Sequence, residues 1–286
     1  MNTAYDFIIA LILAFVLVMM KQYVFALIVV VIYALYKYNK KKPYILAYKG
    51  NVSFRNGERE KALELYKKAC TYKNASDSIR LQYAYLTLYL GNLEEATKLL
   101  SAIDYDKLPE RLRASYTMTD SLITWKNGDL KKAIENLKNL HTQYEHTTVY
   151  ETLGYFLILD KRYEEALEYN LLAYEYDKDN KVIMDNLAQS YYFTGNIEKA
   201  KEVYTKLLDE DPGIPEPYYY YGLILKDEGD TKGALESFDK ALTKRESYLS
   251  ALNKDKIRAT IAELNINNIY KQRRLYEVLF SYSLLC

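Results

Sequence analysis

Apolar residues occur in two uninterrupted runs near the start of the chain and at regular helical spacing afterwards. Phe7–Met20 and Tyr23–Tyr36 are each fourteen apolar residues long, and Lys21-Gln22 separates them. Beyond about residue 43, apolar side chains recur three and four positions apart, which predicts amphipathic helices of about a dozen residues. The pattern therefore predicts an all-α chain in which an apolar helical segment precedes an amphipathic region.

The length of the apolar segment predicts a transmembrane hairpin rather than one straight helix. A helix over residues 3–38 would be about 54 Å long, whereas the hydrocarbon core of a bilayer is about 30 Å thick. Two helices, at residues 4–20 and 23–38, that turn at Lys21-Gln22 fit this thickness better. The alternative is one true span with a second helix lying in the membrane interface.

The charged residues around this segment predict its orientation. Four lysines lie within Lys37–Lys42 and one, Lys21, lies at the turn, so the positive-inside bias predicts that both ends of the hairpin are cytoplasmic. Met1–Asp6 carries an acid and no base, which argues against a secretory signal peptide. Residues 1–42 are therefore predicted to anchor the chain in the cell membrane by two spans, with the following domain in the cytoplasm.

A short helix–turn–helix signature recurs along the amphipathic region. In the stretch from Gly91 to Ala96, a Gly able to adopt a positive φ ends one helix and Asn92 can cap the next. Successive alanines of this signature are 34, 37, 33, 34 and 34 residues apart. Lys161 stands in the fourth copy where the other copies have Gly. The alanines are Ala62, Ala96, Ala133, Ala166, Ala200 and Ala234.

The register of these positions resembles the tetratricopeptide repeat (TPR) family. The pattern of that family, about 34 residues long, has a small residue at about position 8, Gly at about 15, Ala at about 20, an aromatic residue at about 24 and Pro at about 32. The copy that matches this pattern most fully has Ala188, Tyr191, Gly195, Ala200, Tyr204 and Pro212. The resemblance extends over residues 43–248 and implies a right-handed α-solenoid of about six TPR helix pairs.

The implied repeats divide the rest of the chain. They are residues 43–76, 77–110, 114–147, 147–180, 181–214 and 215–248. The 37-residue interval predicts a longer connection near Asp104–Arg113. Residues 249–286 follow as a capping helix and a tail, with helical character from Tyr248 to Leu264. Leu275–Cys286 is largely apolar but too short to span a membrane, so we expect packing or disorder there, with a second membrane contact as the alternative.

The resemblance also implies a binding surface for a protein or peptide partner. In the TPR family, the first helix of each repeat lines a groove through positions 2, 5, 9, 12 and 13. At these positions the chain carries aromatic and apolar residues, with acids toward the C-terminal end, and aromatic residues of this kind can anchor a peptide or a helix. Packing between repeats is the alternative role for each. The candidate binding residues are Tyr85, Leu88, Tyr89, Leu122, Trp125, Tyr155, Gln189, Tyr192 and Tyr219.

Other chemistry is not indicated by the sequence. The net charge of +1 does not favour a nucleic-acid surface. Cys70 and Cys286 match no zinc, redox or disulfide pattern, and His141 and His146 are five residues apart rather than the four of a helical metal pair. The adjacent acid pairs Glu94-Glu95 and Glu164-Glu165 are expected in first helical turns, where the helix dipole favours them. We therefore expect no catalytic residues, no metal and no cofactor.

Two classes of function remain. The first is a membrane-tethered adaptor or scaffold that holds a peptide or helix of a partner in the groove. The second is a structural assembly subunit of a membrane complex that acts through its convex or tail surfaces. An enzyme is not expected.

Overall fold

The computed structural model describes the backbone of residues 3–283 and the side chains of residues 6–266 and 268–270. Within these ranges the chain forms fourteen α-helices, one short 3-10 helix and no strand. The chain divides into two compact units, of which unit 1 comprises Met1–Thr87 and Glu94–Leu112. Unit 2 comprises Leu88–Leu93 and Arg113–Cys286.

The helices follow the repeat register. The first five are α1 Thr3–Met19, α2 Tyr23–Arg55, α3 Arg59–Cys70, α4 Asp77–Tyr89 and α5 Leu93–Ser101. The 3-10 helix Tyr105–Lys107 lies in the longer connection that the 37-residue interval predicts. The others are α6 Glu110–Lys126, α7 Leu130–His141, α8 Thr147–Leu159, α9 Tyr163–Tyr176, α10 Lys181–Phe193, α11 Ile197–Asp209, α12 Glu216–Asp227, α13 Thr231–Thr243 and α14 Lys254–Ser283.

The signature alanines lie where paired helices pack. Each of the six, from Ala62 to Ala234, has an exposed fraction of zero. A methyl side chain lets two helix backbones approach, and larger side chains from neighbouring turns fill the remaining space. In the sixth pair, Phe238 fills this space against Gly222, where an added Cβ would lie 2.6 Å from the ring.

The turns have the backbone geometry that the signature requires. Gly91 has a φ of +92°, and the corresponding glycines of four other pairs have φ values of 78° to 97°. Lys161, which replaces the Gly of the fourth pair, adopts the same left-handed conformation with a φ of 61°. The turn is therefore set by the helix pair around it, because a residue with a Cβ adopts this conformation only at a cost.

The two apolar runs form a helical hairpin in unit 1. The chain reverses at Lys21, which has a φ of 60°, and the rings of Phe7 and Tyr33 lie 5.9 Å apart between α1 and α2. Twenty-two large apolar side chains between Phe7 and Tyr38 are at least 43% exposed. Only α2 is long and apolar enough to cross a membrane among the described helices, and α1 contains a shorter apolar stretch, Asp6–Met19.

Two helix boundaries differ from the sequence prediction. The sequence predicts that one helix ends at residue 38 and that the first repeat begins at residue 43, but α2 continues through both positions and contains Pro43. The capping helix α14 begins at Lys254 rather than Tyr248, because Asn253 accepts a hydrogen bond from the Lys256 N–H at 2.8 Å and so caps the helix. Lys244–Asn253 is consequently an irregular segment.

Candidate functional site

The candidate binding residues on α6, α8, α10 and α12 lie on the first helices of the third to sixth pairs, and we call this side of unit 2 the first-helix face. Trp125, Tyr155 and Tyr192 are half-buried on these helices. Leu122, Gln189 and Tyr219 are at least 93% buried, so their side chains support the face rather than present a surface. Of the three candidates on α4, the structure buries Leu88, whereas Tyr85 and Tyr89 are half-buried, and Tyr85 belongs to unit 1.

The third and fourth helix pairs contribute an aromatic site with a cation. The rings of Trp125 and Tyr155 meet edge to face, with centroids 6.0 Å apart and an interplanar angle of 89°. The Lys126 ammonium lies 3.9 Å from the centroid of the Trp125 ring. Burial lowers the pKa of Lys126, which is consistent with an ammonium held against rings rather than in water. These groups can hold an aromatic side chain of a ligand by ring and cation–π contacts.

A second aromatic cluster lies further along the face. Phe193 stacks on Tyr163 at a centroid distance of 4.7 Å and meets Tyr192 at 5.2 Å and Tyr220 at 5.6 Å. Burial raises the pKa of Tyr192 and of Tyr220, so both hydroxyls stay protonated and can donate hydrogen bonds. The cluster therefore combines flat apolar contact area with polar ends.

Two buried carboxyl groups lie near the end of the face. Asp185 on α10 is 3% exposed, and Glu216 on α12 is 8% exposed. The Gln189 amide donates to Asp185 Oδ2 at 2.7 Å, whereas Asp185 Oδ1 is buried without a hydrogen-bond partner. Burial, with a smaller contribution from the neighbouring Glu216 charge, raises the pKa of Asp185 well above its usual range. Burial likewise raises the pKa of Glu216, against the hydrogen bond from Ser250 that lowers it.

Replacing Asp185 by Asn is expected to stabilise unit 2 at neutral pH. Because the folded pKa of Asp185 is raised, the folded state holds its proton at pH values where the unfolded chain, with a pKa of about 3.9, has lost it. Stability therefore falls as pH rises from about 4 through the folded pKa. The amide introduced by Asp185→Asn carries no charge and keeps an acceptor for Gln189, so we expect a gain of about 1–3 kcal/mol at pH 7.

Urea unfolding at several pH values measures this effect. The control is Asp239→Asn on α13, which removes an exposed acid and should change stability little. If Asp185→Asn leaves the slope of stability against pH above pH 4 unchanged, the pKa of Asp185 is not raised in the folded state.

The remaining polar candidates have structural roles. His141 packs edge to face with Tyr150 at a centroid distance of 4.8 Å, and His146 caps α8 by accepting the Thr148 N–H at 3.3 Å. Glu94 and Glu164 lie in first helical turns, as expected. Among the residues that the structure describes, no three His, Cys, Asp or Glu side chains converge as metal ligands.

The sequence did not predict that the first-helix face contacts residues far along the chain. The Ala251 N–H donates to Tyr155 Oη at 2.7 Å, although the two residues are 96 positions apart. Tyr219 Oη lies 3.3 Å from Thr260 Oγ1 of α14. Asn253, a residue type that favours helix N-caps, was the one local indication that α14 begins at Lys254 and that an irregular segment precedes it.

Stacked helix pairs with this register define an α-solenoid of the TPR type. Residues 186–248 match the model of the tetratricopeptide repeat family. A TPR repeat-containing protein of Methanocaldococcus jannaschii is 29% identical over 159 residues, which are 54% of this chain and 27% of the relative. The chain therefore spans about a quarter of the length of that curated relative.

Solved structures share the fold. A tetratricopeptide repeat protein from Parabacteroides merdae superposes with a TM-score of 0.60 and 16% identity, over 92% of this chain and 99% of that chain. The APC/C hetero-tetramer Cut9-Hcn1 contains a chain that superposes with a TM-score of 0.62 and 13% identity, over 78% of this chain and 43% of that one. Together with the family match, these similarities support the TPR repeat as the building unit of this protein.

Proposed function

We propose that this chain is a membrane-tethered adaptor that binds a segment of a partner protein on its first-helix face. TPR proteins generally mediate contacts between proteins, and this role needs only an exposed recognition surface. The half-buried aromatic residues Trp125, Tyr155 and Tyr192 supply the type of side chain that dominates protein interfaces. No step of this function requires a catalytic group, so we also propose that the protein is not an enzyme.

The observation that carries the tethering is the continuity of α2. This helix begins in the apolar hairpin at Tyr23 and ends at Arg55 as the first helix of the first repeat. The apolar side chains of the hairpin face outward, and water solvates such a surface poorly, whereas lipid chains accommodate it. We propose two spans in the cell membrane, with Lys37–Lys42 and the repeats on the cytoplasmic side.

Crosslinking in cells tests the adaptor function. Trp125→Ala combined with Tyr155→Ala removes the aromatic site, and we expect the crosslinked partner to be lost or reduced at least tenfold, because each hot-spot aromatic residue contributes about 2 kcal/mol or more. The matched control is Leu171→Ala with Leu172→Ala, which removes two large side chains, 40% and 62% exposed, from the second helix α9. Capture that is unchanged in the first variant and lost in the second would refute binding at the first-helix face.

A structural assembly role is the second candidate, and the exposed end of α14 favours it. Ile266, Ile269 and Tyr270 are 52%, 64% and 66% exposed on this helix. Leu275–Cys286, which the sequence suggested as a contact, lies outside the described side chains. This role predicts that truncation after Asn265 abolishes complex formation while the aromatic variant does not.

A further inference from the structure

The irregular segment between α13 and α14 lies against the first-helix face. The ring of Tyr248 is centred 4.6 Å from the Lys126 ammonium. The same ammonium lies 3.9 Å from the Trp125 ring, so Lys126 is held between two aromatic rings. Tyr248 therefore occupies the position at which a ligand's aromatic side chain would complete the aromatic site.

The next residues of the segment add polar contacts. Ala251 uses its main-chain N–H to donate to Tyr155 Oη at 2.7 Å. Ser250 donates its hydroxyl to the carboxyl group of Glu216. Residues 247–250 form a turn, in which the Ser250 N–H donates to the Ser247 carbonyl at 3.1 Å. The turn presents an aromatic ring, a small hydroxyl group and a main-chain donor to the face within four residues.

The contacts of Tyr248 and Ala251 are not needed to cap the last helix pair. Leu252, Ile257 and Leu264 are buried in the apolar cluster of α12 and α13, and they suffice to cap that pair. Tyr248 and Ala251 instead contact the third and fourth helix pairs, through Lys126 and Tyr155. The segment itself remains half-exposed from Ser247 to Ser250, as expected of a chain lying on a surface and not inside a core.

We propose that residues 247–251 are a resident ligand of the first-helix face and that the partner is a peptide that forms the same turn and takes their place. This inference rests on the proposed adaptor function and adds the regulation and chemistry of its site. The contacts specify a peptide with an aromatic residue, and a Ser or Thr two positions later. Acidic side chains are disfavoured at the hydroxyl position, because they would face the buried carboxyl group of Glu216, which accepts the Ser250 hydroxyl.

The tether makes the resident segment an effective competitor. A segment joined to its site through a few residues has an effective concentration of about millimolar. A free peptide of the same sequence therefore binds weakly to the intact protein. When the resident contacts are weakened, a larger fraction of the molecules has an open site, and the apparent affinity for the free peptide rises in proportion to that fraction. Partner access is thus controlled by how often the segment leaves the face.

Fluorescence of Trp125 measures this exchange, because it is the only Trp in the chain. The full-length protein in detergent micelles is titrated with a synthetic peptide of residues 244–251 and with a scrambled peptide. Tyr248→Ala combined with Ser250→Ala weakens the resident segment but leaves the face intact. We expect the peptide to bind this variant at least about tenfold more tightly than wild type. The control Glu246→Ala changes an exposed residue of the same segment and should behave as wild type.

Equal binding of the peptide to wild type and double variant, or no binding to either, would overturn the proposal and make the segment a structural cap. If circular dichroism shows that the double variant loses helix, Ser250→Ala alone decides, since it leaves Tyr248 in place and removes only the hydroxyl that bonds to Glu216 and to the Leu252 main chain. Partner crosslinking through Trp125 and Tyr155 is a separate readout. If crosslinking depends on these residues and the peptide does not bind, the adaptor function stands and the resident ligand does not.

Discussion

Replacing Phe238 by Ala is expected to lower the free energy of unfolding of the last helix pair by about 3–5 kcal/mol. Phe238 has an exposed fraction of zero, and its ring lies 5.7 Å from that of Tyr219. Gly222 leaves the space that this ring fills, so an Ala at 238 would leave a cavity that helix backbones cannot close without moving. The capping helix packs on the same apolar cluster and should loosen with it.

Hydrogen exchange is the suitable measurement, because repeat proteins can open pair by pair. Amides of α12, α13 and α14 should exchange faster in Phe238→Ala, while those of α8 and α9 change less. Leu172→Ala, at a position 62% exposed, is the control and should change stability by about 0.5 kcal/mol or less. Uniform acceleration across all helices would contradict a core built from adjacent pairs.

Removing residues 1–38 is expected to move the protein from the membrane fraction to the soluble fraction. The deleted hairpin contains the twenty-two exposed apolar side chains, and each Leu, Ile, Phe or Val favours insertion by about 0.3–0.6 kcal/mol. Its helices satisfy their own backbone hydrogen bonds, which a membrane requires. The α1 helix, with 17 residues, is about 26 Å long, and the stretch of α2 before Pro43 is about 30 Å long.

Carbonate extraction of membranes followed by blotting of the pellet measures this partition. Truncation of residues 271–286 is the control, because it tests the alternative that the tail makes a membrane contact. We expect the tail truncation to stay in the pellet and the hairpin deletion to leave it. The opposite pattern would contradict tethering through the hairpin.

Much of the repeat region could be predicted from the sequence, because its turns and helix crossings are set by residues close together in the chain. The alanine positions identified the helix crossings, since a close approach of two helices tolerates only a small side chain there. The glycines identified the turns, since they adopt positive φ without strain. Lys161 shows that the register, and not the residue alone, sets the turn, because it adopts a φ of 61° at the Gly position of the fourth pair.

The candidate site was predicted only in part, because burial and long-range contacts do not follow from spacing. Gln189 and Tyr219 occupy groove positions in the repeat register, but both are buried. The Gln189 amide donates a hydrogen bond to Asp185, and the Tyr219 hydroxyl lies beside that of Thr260. A proline usually ends a helix, yet α2 continues through Pro43, which is buried. The contact of Ala251 with Tyr155 joins residues 96 positions apart, so no local pattern could predict it.

Binding at the first-helix face is tested by finding the position at which the partner docks. A photo-reactive benzophenone amino acid replaces Tyr192 on the first-helix face or, as a control, Tyr176 on the second helix α9, so both changes exchange one aromatic side chain for another. Tyr192 is half-buried and Tyr176 is 47% exposed. After illumination of cells, we expect a specific protein adduct from position 192 and none from position 176. An adduct from position 176 alone would contradict binding at the first-helix face and favour assembly through the opposite surface.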